Sequence, residues 1–126
     1  MAKGTVLVIE DNIDNLDLVR FLLEEEDGFK IITAMDGRDG LDVARKEHPD
    51  LILLDLTIPE IDGWNVAQQI KADPATRDIV VVAFTAHILP GDRKRALEAG
   101  CDAYISKPLD VPTFASQVAG YIQNKK

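Results

Sequence analysis

Residues 51–63 read LILLDLTIPEIDG, a run of aliphatic side chains that stops abruptly at a carboxylate. Leu51 to Leu54 have the composition of a strand that is buried on both faces of a sheet. Because removing a charge from water is costly, an aspartate directly after such a run requires an explanation. Our interpretation is that Asp55 is a nucleophile held at the edge of a sheet.

Four other short apolar runs have the same character, and segments with helical periodicity separate them. Short strands that alternate with helices favour right-handed βαβ units and a parallel sheet covered on both faces. The sequence therefore predicts an α/β fold with five strands and five helices. The predicted strands are residues 5–9, 30–34, 51–55, 79–85 and 103–106. The first helix is predicted after Asn12, the second over residues 36–48 and the third over residues 64–72. The fourth is predicted to end at Gly100, and the fifth to follow Asp110.

Length and composition indicate one globular domain over residues 1–126. The 22 acidic and 14 basic residues give a net charge of −8, which disfavours direct binding to nucleic acid or to anionic membranes. No apolar run approaches membrane-spanning length, and the N-terminal residues do not resemble a signal peptide. The single cysteine, Cys101, cannot form an internal disulfide, so we expect a cytoplasmic protein with Cys101 as a small buried side chain.

Polar groups lie at the carboxyl ends of four of the five predicted strands. Glu10 and Asp11 follow the first strand, Asp55 ends the third, Thr85 ends the fourth and Lys107 follows the fifth. The carboxyl ends of parallel strands share one edge of a sheet, where ligands of α/β proteins bind. We therefore expect these side chains to lie close together.

Three carboxylates at one edge repel one another, by about 4 kcal/mol for a pair at 4 Å and an effective dielectric of 20. Lys107 would offset part of this repulsion, and an oxygen-ligated divalent cation such as Mg²⁺ would offset more. A carboxylate, Mg²⁺, a lysine and a hydroxyl together suit phosphoryl transfer to Asp55. Each residue also has a simpler reading: Asp11 or Asn12 as a helix cap, Thr85 as a turn residue and Lys107 as surface charge.

The motifs VIED, LILLDLTIPEIDG, AFTA and EAGCDAYISKP, with their spacing, resemble the receiver domain of two-component response regulators over about Thr5 to Ile122. The resemblance implies a flavodoxin-like, doubly wound fold with strand order 2-1-3-4-5. That order places Glu10 and Asp11 beside Asp55, with Thr85 and Lys107 on its other side.

The resemblance also implies a role for each site residue. Asp55 would be the phosphoacceptor, with Mg²⁺ held by Glu10, Asp11, Asp55 and the backbone carbonyl of Thr57. Thr85 and Lys107 would contact the phosphoryl group, and Lys107–Pro108 would be a cis peptide. Tyr104 would be a switch residue that turns inward when Thr85 moves. Glu10 departs from the aspartate of many members, so its link to the metal could be direct or through water.

By the same resemblance, a sensor histidine kinase or a histidine phosphotransfer protein would donate the phosphoryl group. Phosphorylation would alter the face formed by helix 4, strand 5 and helix 5, which would control a partner or relay the phosphoryl group onward. Because no DNA-binding or catalytic domain follows in the sequence, we expect a stand-alone switch, with a fragment of a longer regulator as the alternative. Self-catalysed transfer and slow autodephosphorylation would be its only chemistry. The kinase, the output partner, the oligomeric state and the phosphoryl lifetime are not encoded in any motif.

Three other functions fit the sequence less well. An aspartyl-phosphate phosphatase of the haloacid-dehalogenase type would need a second aspartate at the position of Thr57. A nucleotide-binding module would need a glycine-rich loop after the first strand, where the sequence has the acidic residues 10–15. A calcium loop is excluded because the acids do not have EF-hand spacing.

Overall fold

A computed structural model describes residues 4–25, 28–56, 63–85, 92–106 and 111–123. Within these residues, five parallel strands form one sheet in the order β2-β1-β3-β4-β5. This confirms the predicted fold class and strand order. The strands are β1 (Thr5–Ile9), β2 (Lys30–Ala34), β3 (Leu51–Leu54), β4 (Val80–Thr85) and β5 (Ala103–Ser106).

Helices cover both faces of the sheet. The helices are α1 (Ile13–Arg20), which continues into a π-helical turn (Phe21–Glu25), α2 (Gly37–Glu47), α3 (Gly63–Ala72), α4 (Asp92–Glu98) and α5 (Val111–Gln123). One core cluster joins the sheet to α2, α3 and α4, and the other joins it to α1 and α5.

The position of β3 in the centre of the sheet explains why residues 51–54 are all aliphatic. Ile52 and Leu54 pack in the cluster beneath α2, α3 and α4, whereas Leu51 and Leu53 pack in the cluster beneath α1 and α5. Because successive side chains of a strand point to opposite faces, a strand covered on both sides has no polar position. All four side chains have no solvent exposure.

The end of the first helix is the main local departure from the sequence prediction. After Arg20 the hydrogen bonding widens into a π-helical turn, a feature that is rare and that sequence periodicity does not signal. The turn buries Leu22 and Leu23 and leaves Phe21 51% exposed. The chain then enters β2 through Phe29, whose N–H donates to the carbonyl of Leu23 at 2.8 Å.

Two observed strand ends can be compared with the predicted ones that carry polar residues. β3 ends at Leu54, so Asp55 is the first residue beyond the strand and not its last. β4 begins at Val80, one residue later than predicted, and ends at Thr85. Thr57, Lys107 and the Lys107–Pro108 bond lie outside the described residues, so the predictions for them are untested.

Candidate functional site

Backbone pairing brings Asp55 next to Glu10. The N–H of Asp55 donates to the carbonyl of Ile9 at 3.0 Å, which extends the β1–β3 pairing by one residue. On the other side of β1, the N–H of Glu10 donates to the carbonyl of Ala34 at 2.9 Å. Both carboxylates are therefore fixed at the carboxyl edge of the sheet by the strands that carry them.

Three carboxylates meet at this edge. Glu10, Asp11 and Asp55 each offer one oxygen, and these oxygens all lie within 4.8 Å of one another. Glu10 is 1% exposed and Asp55 is 5% exposed, whereas Asp11 is open to solvent. Two buried carboxylates at this separation repel each other strongly, so the arrangement favours a cation among the three.

Glu10 is held by the first turn of α1. Its Oε2 accepts a hydrogen bond from the backbone N–H of Asn12 at 3.2 Å, and its Oε1 accepts one from Asn15 Nδ2 at 3.3 Å. Asn12 is the N-cap of α1, and its Oδ1 accepts from the N–H of Asn15 at 3.0 Å. The sequence reading of Asn12 as a cap is confirmed, and Asp11 belongs to the carboxylate cluster.

The start of α3 packs against the backbone of Asp55 and Leu56, which explains the glycine at position 63. The N–H of Gly63 donates to the carbonyl of Leu56 at 3.2 Å. A Cβ atom at Gly63 would lie 2.4 Å from the Cα of Leu56 and 2.8 Å from the carbonyl oxygen of Asp55. Only glycine allows α3 to begin directly against the backbone of the acidic residue, and the sequence reading did not anticipate this contact.

The remaining predicted site residues are described only in part. The backbone of Thr85 pairs with Ser106 across β4 and β5, which places Lys107 one residue beyond that pair in the chain. Tyr104 pairs with Ala83 in the same register and is half-buried against the core beneath α2, α3 and α4. The described residues therefore bring Glu10, Asp11 and Asp55 together, while the contacts of Thr57, Thr85 and Lys107 remain predictions.

Asn15 is the site contact that the sequence reading missed. It lies in the first turn of α1, where an asparagine normally suggests only a local helix interaction. Its spacing from Glu10 gives no signal by itself, because the contact depends on the strand-to-helix connection through Asn12. Asn15 could have been found only by asking which first-turn donor faces the longer Glu10 side chain.

The sequence model of the response regulator receiver domain matches residues 6–119. The chain belongs to this family and is a receiver domain of a response regulator. Family membership, together with the Thr57 position, leaves the phosphatase alternative without support.

Among individual proteins, the chain is 43% identical to the polar-differentiation response regulator DivK of Brucella ovis, over 97% of this chain and 98% of that one. A signal receiver domain of a Syntrophus aciditrophicus histidine kinase is 31% identical, with a TM-score of 0.87, over 96% of this chain and 91% of that one. The receiver domain of a Pseudomonas aeruginosa sensor histidine kinase has a magnesium ion coordinated in its active site cleft. It is 28% identical, with a TM-score of 0.86, over 95% of this chain and 98% of that one.

The helices of the described residues are short relative to a bilayer. Among the residues that the structure describes, no helix combines the length and the apolar character needed to cross a membrane.

Proposed function

We propose that this protein is a phosphorylation-activated signalling switch in which Asp55 accepts the phosphoryl group. The observation that carries the proposal is the cluster of Glu10, Asp11 and Asp55 oxygens within 4.8 Å at the carboxyl edge of the sheet. Asp55 is the member that follows the central strand β3, and Glu10 and Asp11 follow the neighbouring strand β1. A receiver domain uses such an aspartate as a covalent acceptor.

The residues at this edge fit Mg²⁺. The cluster offers oxygen ligands only, which a hard divalent cation prefers, and the exposed Asp11 leaves one side open to water. Glu10, Asp11 and Asp55 would hold the ion, with the carbonyl of Thr57 as a further ligand. When bound, the ion supplies positive charge that screens the carboxylates from one another and from phosphoryl oxygens. The magnesium ion of the Pseudomonas aeruginosa relative supports this assignment.

Asp55 performs the covalent step. One of its carboxylate oxygens forms a bond to phosphorus while the bond from phosphorus to the donor's imidazole nitrogen breaks, and that nitrogen keeps the electron pair. Asp55 is only 5% exposed, so few water molecules can compete with it for the phosphorus atom. We propose that Lys107 pairs with the phosphoryl oxygens and that Thr85 donates its hydroxyl to them.

The switch proposal involves Thr85 and Tyr104. Thr85 ends β4 and Tyr104 lies in β5, so the two residues lie on neighbouring strands, with Ser106 and Ala83 as their respective register partners. Movement of Thr85 toward a phosphoryl group would open space that Tyr104 then occupies. A population shift of this kind would change the surface formed by α4, β5 and α5.

The proposed donors are a sensor histidine kinase or a histidine phosphotransfer protein, and the proposed outcome is control of a downstream protein or onward relay. Apart from its own phosphorylation and slow dephosphorylation, we propose no enzymatic activity. Transfer from the phosphorylated protein to a histidine phosphotransfer protein, measured with radiolabelled phosphate, separates relay from terminal output.

The decisive experiment is incubation with acetyl phosphate and Mg²⁺ followed by intact-mass measurement. We expect one added phosphoryl group on the wild type and none on Asp55→Asn, which preserves the shape of the side chain and removes the nucleophile. Asp39→Asn is the matched control, because Asp39 is exposed in the first turn of α2 and is not a member of the carboxylate cluster. Equal labelling of the wild type and Asp55→Asn would show that another residue is the acceptor.

A further inference from the structure

Burying the carboxylate of Glu10 in one fixed position costs more free energy than burying that of an aspartate at the same position. Its side chain has one more rotatable bond, so fixing its carboxylate costs more conformational entropy. It is also 1% exposed, so the carboxylate needs hydrogen bonds from the protein in place of those it loses from water.

The first turn of α1 supplies those hydrogen bonds in an unusual way. In a common capping arrangement, an acidic side chain three residues after the N-cap accepts from the N-cap N–H. Here Asn15 occupies that third position, and the acceptor for the Asn12 N–H is Glu10 Oε2, from the strand side. Asn15 instead turns its amide toward Glu10 and donates to Oε1.

We propose that Asn15 is a positioning residue for the metal site, whose side-chain amide fixes the carboxylate of Glu10 toward Asp11 and Asp55. The proposal rests on the function proposed above and identifies a residue outside the carboxylate cluster that sets its geometry. With Asn12 on one oxygen and Asn15 on the other, the carboxylate plane has two anchors. A carboxylate oxygen can accept more than one interaction, so these two hydrogen bonds are compatible with a role in binding a cation or a cation-bound water.

The chemistry of the amide suits this role. Asn15 donates without adding charge, so it does not compete with a cation as a lysine would or add repulsion as an aspartate would. Residues that orient metal ligands in this way typically contribute 10–100-fold to metal affinity. Since the Glu10–Asn15 distance of 3.3 Å is at the long end of a hydrogen bond, we expect an effect near the lower limit of that range.

The test is a double-mutant cycle on Mg²⁺ affinity, measured by isothermal titration calorimetry on the unphosphorylated protein. We expect Asn15→Ala to weaken Mg²⁺ binding by about 10-fold. Glu10→Asp shortens the side chain by roughly 1.5 Å, which takes the carboxylate out of reach of the amide. In that background Asn15→Ala should change the affinity by less than about twofold.

Gln68→Ala is the matched control, since it truncates an exposed neutral amide in the middle of α3 and should leave Mg²⁺ affinity unchanged. An equal loss from Asn15→Ala in both backgrounds would mean that Asn15 acts only through the helix. Wild-type affinity in Asn15→Ala would also overturn the proposal.

A second readout applies if Glu10→Asp binds Mg²⁺ too weakly for calorimetry. The side-chain amide resonances of Asn15, identified by their loss in Asn15→Ala, should shift between the wild type and Glu10→Asp in the metal-free protein. Unchanged resonances would contradict the contact itself. Absence of both Mg²⁺ binding and Asp55 phosphorylation in the wild type would instead refute the proposed function, so the two failures are distinguishable.

Discussion

The guanidinium of Arg95 lies over the indole ring of Trp64, with its Cζ atom 4.1 Å from the ring centroid. The contact joins α4 to the first turn of α3, the turn in which Gly63 packs against the backbone of Asp55 and Leu56. Trp64 also packs against the core beneath α2, α3 and α4. One side chain therefore links the helix of the proposed output face to the segment that borders the acidic site.

Replacing Arg95 should loosen this link. We expect Arg95→Gln to lower the free energy of unfolding by about 0.5–1 kcal/mol, the range for a cation over an aromatic ring at an exposed site. Because Trp64 is the only tryptophan in the chain, its fluorescence emission should also change. Urea unfolding followed by tryptophan fluorescence measures both effects.

Lys94→Gln is the control, because it removes the same charge from the neighbouring exposed position of α4. We expect that variant to keep the wild-type emission spectrum. A matching change in both variants would attribute the effect to net charge and not to the contact with Trp64.

Lys71 anchors the opposite edge of the sheet. Its Nζ donates to the carbonyl of Ile79 at 2.7 Å, to the carbonyl of Arg77 at 3.2 Å and to Asp102 Oδ2 at 2.7 Å. Asp102 Oδ2 also accepts from the N–H of Val81 at 2.8 Å. One ammonium group thus ties the end of α3, the start of β4 and the turn before β5 together.

Removing the ammonium group of Lys71 should destabilise the fold without affecting the acidic site. We expect Lys71→Met to cost about 2 kcal/mol, because hydrogen bonds to a charged group contribute roughly 1.5–3 kcal/mol. Thermal or urea unfolding of Lys71→Met and of Lys46→Met, an exposed lysine of α2, provides the comparison. A loss of the same size in both variants would mean that the anchored geometry of Lys71 contributes nothing.

Gly63 should be the least replaceable glycine near the site. An added methyl group would meet the Cα of Leu56 at 2.4 Å, and since that neighbour is backbone it cannot rotate away. We expect Gly63→Ala to cost about 2 kcal/mol or more, within the range for overpacking, and to reduce labelling of Asp55 by acetyl phosphate.

Gly120 provides the matched comparison for that substitution. It lies in α5 with open space where a methyl group would be added, so alanine should stabilise the helix by about 0.5–1 kcal/mol. Opposite signs for the two glycine-to-alanine changes are therefore expected in urea unfolding. A Gly63→Ala protein as stable as the wild type would show that α3 can move away from Leu56 at little cost.

Most of the fold could be predicted from the sequence, because a short run of aliphatic residues identifies a buried strand without information from the rest of the chain. The continuous aliphatic run from Leu51 to Leu54 indicated a strand covered on both faces, and the polar residues at the ends of four strands then indicated one edge of the sheet. The contacts of Asn15, Lys71 and Arg95 could not be predicted, because each depends on where a long side chain ends after two elements have packed. The strand order itself came from the family resemblance and not from the hydrophobic pattern.

Cys101 gives a pH-dependent prediction. Burial, reinforced by the nearby Asp102 carboxylate, raises the pKa of the Cys101 thiol from 9.0 to about 12, although Lys71 acts in the opposite direction. Between these values the unfolded chain loses the thiol proton while the folded protein keeps it, so the contribution of Cys101 to stability is constant below about pH 9 and falls as the pH rises further. The contribution of this group should fall by about 1.4 kcal/mol per pH unit in that interval.

Other groups also titrate there, so the measurement is the difference in urea unfolding between the wild type and Cys101→Ala at pH 8, 9.5 and 10.5. A constant difference across the three pH values would mean that the thiol ionises as readily in the folded protein as in the unfolded chain.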